Sequence, residues 1–212
     1  MSVMSQIREY FAGNAPVFFA NLKTHVWLSS FSMIAAMLIC IPLGIWISRK
    51  LRVANYVINA INIFRVIPSL AILALAMPLL GVGFLPAAAA LTLLACPPIL
   101  INTYVAFREI DPAVKEAARG MGMAPLQVIR KVEIPLALPV VLAGIRTASV
   151  EIIASATLAV LIGGGGLGNY IINGVSMMSK SYLLIGAVPV ALLAILSEIV
   201  FGFFQRKTRF SN

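Results

Sequence analysis

Catalysis and metal binding need reactive side chains within reach of one another, and this sequence offers few candidates. It has seven acidic residues, one histidine, His25, and two cysteines, Cys40 and Cys96, in 212 residues. A zinc centre needs three or four clustered ligands, and acid–base or nucleophilic chemistry needs a base held beside its partner. Neither set can be drawn from this inventory. Both cysteines lie inside apolar runs and read as small buried hydrophobes, while His25, at the edge of the first such run, reads as an interfacial side chain. Gly163, Gly164, Gly165, Gly166 and Gly168 satisfy the G-x-G-x-x-G spacing of dinucleotide sites. They follow an apolar run rather than the strand of a βαβ unit, so the match is discounted, and the sequence has no phosphate-cradling G-x-x-x-x-G-K-[ST]. The chain is therefore expected to hold no cofactor and to catalyse nothing by itself.

Three charges stand out for a different reason. Arg65, Arg146 and Glu151 lie inside otherwise apolar stretches, where a charge at mid-membrane costs about 2.5–3.5 kcal/mol on insertion scales. They must face protein or water. One reading pairs Glu151 with Arg65 across a helix interface as a packing device. The other places Glu151 on a solute pathway, with Arg65, Pro68, Ser69 and Arg146 as further pathway candidates and the glycines at 163–166 and 168 at a flexible outer loop or gate.

The elements that must carry these residues are set by composition. The chain is 61% hydrophobic and 11% charged, with mean hydropathy +1.00, whereas soluble domains are about 45–50% apolar and 25% charged. The sequence predicts an all-α, polytopic integral membrane protein. Residues 26–47 are uncharged, and 22 residues reach about 33 Å, enough for a hydrocarbon core of about 30 Å. Further apolar regions lie at 53–80, 85–105, 134–162 and 182–204, with a kink expected at Pro97-Pro98. Five spans are expected, or six if the region 53–80 splits. Residues 1–24 form an interfacial segment ahead of a membrane domain at 25–205, and 206–212 form a basic tail.

A formal net charge of +9 raises nucleic acid as a partner, but the basic residues punctuate apolar runs and form no stripe. They read as topology. With five spans, Arg49, Lys50, Arg52, Arg108, Lys115, Arg119, Arg130, Lys131, Arg206, Lys207 and Arg209 fall on one side, eleven of the 16 basic residues. That side is expected to be the cytoplasm.

The polar segment 107–133 sits on that side. Asp111-Pro112 is a helix start, with an acceptor at the N-cap and proline in the first turn. Residues 113–119 are mostly strong helix formers, Gly120 and Gly122 permit a left-handed exit, and Pro125 discourages continuation. The product is a two-turn helix too short to span. A connecting loop and a docking peg both fit it.

The block EAARGMGMAPLQVIRKVEIP, residues 116–135, resembles the EAA motif of permease subunits of bacterial ATP-binding-cassette importers. Further blocks, RVIPSLAILALAMPLLGVG, DPAVKEAARGMGM and the stretch from Pro135 to Gly168, are similar to the branch importing glycine betaine, carnitine and choline. The likeness covers roughly residues 20–205. It implies a type I importer permease fold in a bacterial inner membrane, with residues 107–135 as the coupling segment. Asp111, Lys115, Glu116, Ala117, Ala118, Arg119, Gly120 and Gly122 would then meet an ATPase subunit. The implied partners are two ATPase copies that bind ATP and magnesium, a second permease copy or a homologous one, and an external solute-binding protein or lipoprotein. Substrates implied are osmoprotectant quaternary amines, or a related small amine such as ergothioneine. A stand-alone secondary transporter and a scaffold subunit are the readings from other classes.

Overall fold

The computed structural model describes residues 2–209, and every regular element among them is helical. Helix α1 runs from Val3 to Ile47, α2 from Leu51 to Val66, α3 from Ser69 to Leu80 and α4 from Phe84 to Arg108. Then come α5 (Pro112–Gly120), α6 (Pro125–Val128), a π-helical segment (Ile129–Glu133) and α7 (Ile134–Ser155). A 3-10 turn (Leu158–Ile162), α8 (Gly168–Ser176) and α9 (Lys180–Arg209) complete the chain. Of the expected basic tail, residues 206–209 prolong α9, and 210–212 lie outside the described residues.

Two boundaries differ from the sequence expectation. The first helix begins at Val3 rather than near residue 26, because the Ser2 hydroxyl caps it by accepting from the Ser5 N–H at 3.2 Å. Its 45 residues reach about 67 Å, twice what a bilayer core needs. Its first half docks through Tyr10 and Phe18 onto Tyr170 of α8, and through Tyr10 onto Tyr182 of α9, with Phe11 packed between Tyr10 and Phe18. The second difference lies at the region 53–80, which does split, at Ile67-Pro68, with a bend of 101°. Its arms of 16 and 12 residues reach only about 24 and 18 Å. Neither crosses a bilayer, so the break yields one broken span and not a sixth. Four helices are long and apolar enough to cross a membrane, and the number is five where the bent pair counts as one span.

Helix α4 is central, packing on α1 and on α7, and α7 packs in turn on α9. Small residues set these approaches, as expected where helices associate without a hydrophobic drive from water. A Cβ on Gly44 of α1 would stand 2.8 Å from Thr103, and one on Gly144 of α7 would stand 2.6 Å from the Pro98 carbonyl of α4. Buried Ala36, Ala95, Ala137 and Ala148 continue the same seams.

His25 is not interfacial. It is fully buried, with Nε2 3.1 Å from the Ile153 carbonyl of α7 and its ring against Gly166. The glycine run, expected to be a flexible turn, is likewise packed. Gly164, Gly166 and Gly168 are buried, and the Gly83 N–H donates to the Ile162 carbonyl at 2.7 Å, tying the α3–α4 turn to it.

Candidate functional site: an exposed peg and a cavity at a broken helix

Helix α5 forms as its local signals direct. The Asp111 carboxylate accepts from the Ala113 N–H at 2.8 Å and Pro112 opens the first turn. At the other end the Met123 N–H reaches the Ala118 carbonyl at 3.3 Å and the Gly122 N–H the Arg119 carbonyl at 2.9 Å, with Gly122 at φ +81°. That pair of bonds around a left-handed glycine is a Schellman stop, which satisfies the last carbonyls and turns the chain sharply. The next helix starts at once, on Pro125, with the Gln127 side-chain oxygen accepting from the Ala124 N–H at 3.0 Å.

The outward face of this peg carries Asp111, Glu116, Ala117, Arg119, Gly120 and Gly122, all exposed. Two of the expected contact residues face inward instead. Ala118 is 2% exposed, because it is the side chain on which α5 rests, and the Lys115 ammonium donates to the Phe107 carbonyl at 3.4 Å, capping the last turn of α4. The sequence reading missed Val114 and Met121, which are 40% and 71% exposed. The available signal was a methionine beside the stop glycine.

Between peg and membrane helix lies the π segment, and a buried charge fixes it. The Glu133 side chain is 7% exposed and accepts from Arg49 Nη2 at 2.8 Å, while the Arg49 side chain is 50% exposed. Removing the arginine leaves a carboxylate buried without its cation, whereas changing the acid to an amide leaves a neutral group. Half-exposure of the arginine reduces the effect to about 1–2 kcal/mol. Arg49→Ala is accordingly expected to lower the melting temperature of the purified chain by about 4 °C. Glu133→Gln is expected to lower it by less, and the reverse order in a thermal melt would contradict this.

A cavity of about 440 Å³ opens where the broken span meets α4 and α7. Arg65, Pro68 and Ser69 come to it from the break, Leu93, Leu94, Pro97 and Pro98 from α4, and Thr147, Glu151, Ala154 and Ser155 from α7. The α7 residues follow helical spacing and so form one stripe. Arg65 and Glu151 therefore share one cavity, as four of the pathway candidates do. They do not close into an ion pair: the ion pairs among the described residues are Arg49–Glu133 and Arg146–Glu198. Both side chains are exposed, which in a membrane helix requires water, solute or protein against them.

The α4 wall has a backbone feature. Proline lacks an N–H, so Pro97 and Pro98 remove the helical donors that the carbonyls of Leu93 and Leu94 would receive. The helix nevertheless continues through the pair. Sequence reading flagged these prolines only as a kink, and it passed over Thr147, whose position four residues before Glu151 was the available signal.

The other pathway candidates lie elsewhere. Arg146 faces α9, where it pairs with Glu198 and donates to the Gln205 side-chain oxygen at 3.2 Å. Gly163, Gly164, Gly165, Gly166 and Gly168 surround the His25 contact and the 3-10 turn, and none of them lines the cavity.

Comparison with known proteins adds four findings. The model of a family described as "binding-protein-dependent transport system inner membrane component" matches residues 40–210. The choline transport system permease protein OpuBB of Bacillus subtilis is 41% identical over 204 residues, covering 96% of this chain and 94% of that protein. The osmoprotectant import permease protein OsmW of Salmonella typhimurium is 40% identical over 194 residues, covering 89% and 90%. Among solved structures, an inward-facing MetNI methionine ABC transporter superposes with a TM-score of 0.81 at 23% identity, over 90% of this chain and 95% of that one.

Proposed function

This chain belongs to the family of binding-protein-dependent transport system inner membrane components, and from that premise we propose that it forms the inward path for osmoprotectant quaternary amines. It is the multi-pass permease subunit of an ATP-binding-cassette importer, working with an ATPase and a substrate-binding partner. The substrates proposed are glycine betaine, carnitine and choline, because similar proteins are named for them: OpuBB for choline, and the OpuCB permease of Bacillus subtilis, 40% identical, for all three. The residues α5 presents outward, with the eleven basic residues on its side of the membrane, support a cytoplasmic peg that docks on the ATPase. Two ATPase copies and two permease copies are proposed, since five spans enclose too little space for a path.

The observation that carries the docking reading is α5 itself: a capped helix of nine residues, stopped by a left-handed glycine, holding Val114 and Met121 outward. In the assembled importer, Ala117→Cys is expected to cross-link to a cysteine placed in the surface groove of the ATPase. A cysteine at exposed Leu38 of α1 is expected not to. Equal labelling from both positions, or reaction of the Ala117 thiol only with reagents added outside sealed cells, would overturn the assignment.

A further inference from the structure

Arg65 and Glu151 stand on different helices and line one cavity without closing on each other. We propose that this cavity is a dipolar site for a zwitterionic solute, with the carboxylate directed to Arg65 and the quaternary ammonium to Glu151. The proposal deepens the osmoprotectant reading and rests on it. Its content is a preference: betaine-type zwitterions over cations that share their trimethylammonium head.

The cavity lining offers the two kinds of partner such a solute requires. A quaternary ammonium has no N–H and takes no hydrogen bond, so it is held by opposite charge, by carbonyl dipoles and by aromatic faces. Glu151 supplies the charge. The carbonyls of Leu93 and Leu94, relieved of their helical donors by Pro97 and Pro98, belong to the facing α4 wall of the same cavity, and Phe64 is also on the lining. A carboxylate instead needs donors. Arg65 offers a guanidinium fork suited to it, and Ser69, at the first turn of α3, adds a hydroxyl to the same lining. At about 440 Å³ the cavity falls in the range of small-molecule sites, roughly 300–1,000 Å³.

A zwitterion neutralises both protein charges when they are most costly, with water displaced and the site closed. Choline satisfies Glu151 but leaves Arg65 facing a neutral hydroxyl and repelled by the ammonium. The isostere 3,3-dimethylbutyrate, with carbon in place of the betaine nitrogen, satisfies Arg65 but leaves Glu151 against its own sign. Betaine should therefore occupy the cavity about tenfold more tightly than either.

The test reads Glu151 directly in the complete importer. A lipophilic carbodiimide modifies the carboxylate, and protection by each solute is followed by mass spectrometry. Glycine betaine is expected to protect at about one tenth the concentration of choline or of 3,3-dimethylbutyrate. In Arg65→Gln the order should change, choline protecting at least as well as betaine. Equal protection by choline and betaine in the unaltered chain, or an unchanged order in Arg65→Gln, overturns the proposal. If Arg65→Gln fails to assemble, the ranking in the unaltered chain still decides. Uptake into proteoliposomes separates the two levels. Import of betaine without protection of Glu151 removes this site alone, whereas no import of betaine, carnitine or choline removes the osmoprotectant reading and the site with it.

Discussion

Gly122→Asp is expected to insert and assemble normally while the initial rate of solute uptake falls about tenfold. The reason is local to the peg. Gly122 stands at φ +81°, in space where an added Cβ meets nothing within 4 Å, so the substitution causes no clash. It does place a side chain in the left-handed region, and it sets an anion at a helix C-terminus, where the dipole is already negative. Together these cost about 1–2 kcal/mol, which shifts the equilibrium against the correctly turned peg by a factor of about 5–30. The body of the protein is untouched. Thermal stability of the membrane domain should move little, and ATP hydrolysis should lose its stimulation by the solute-loaded binding protein. Gly122→Asn is the companion: an amide tolerates left-handed dihedrals and adds no charge, so it should retain most of the uptake. Undiminished uptake in Gly122→Asp would count against the peg as the coupling element, and equal losses in both variants would rule out this account of the turn.

Gly168→Ala is expected to damage the fold itself. A Cβ there would stand 1.9 Å from the Thr157 carbonyl oxygen and 2.7 Å from its carbon. The obstacle is backbone, so no rotamer relieves it, and α8 would have to lift from the end of α7. Overpacking of this kind costs about 3 kcal/mol or more, a large share of a net stability of about 5–15 kcal/mol. The melting temperature should fall by about 6–12 °C, with less chain recovered from membranes. Gly13→Ala is the control, since a Cβ there meets nothing within 4 Å and alanine favours a helix. Matching melts for the two variants would show that the close approach at Gly168 carries no weight.

These two glycines also mark what the sequence could and could not disclose. The role of Gly122 was legible because helix stops are local: a run of helix formers, a glycine and a following proline specify the turn without reference to the rest of the chain. Gly168 was read as part of a flexible run, since its constraint comes from Thr157, eleven residues earlier, on another element. The burial of His25 was missed for the same reason. Its partner is Ile153, 128 positions away, and hydropathy at the end of a span gives no sign of it. Composition did indicate that Arg65 and Glu151 face protein or water rather than lipid. What remained hidden was the 101° break that brings Arg65 to the same cavity as Glu151, because Ile67-Pro68 signals a boundary but not its angle. Ala118 was assigned to the outer face of the peg, as a helix of nine residues does not say which side its neighbours occupy.

The span that follows the peg is continuous in the direction of the cavity, from Pro125 through the π segment to Ser155. Its π segment lies near one end, where the regular i→i−4 ladder of the α-helix is interrupted. Glu151 lies 18 residues beyond Glu133, an arm of about 27 Å. Tilting that arm by about 10° carries the carboxylate sideways by roughly 5 Å. A tilt of that size would move the cavity wall by the width of a small solute without a single helix unwinding.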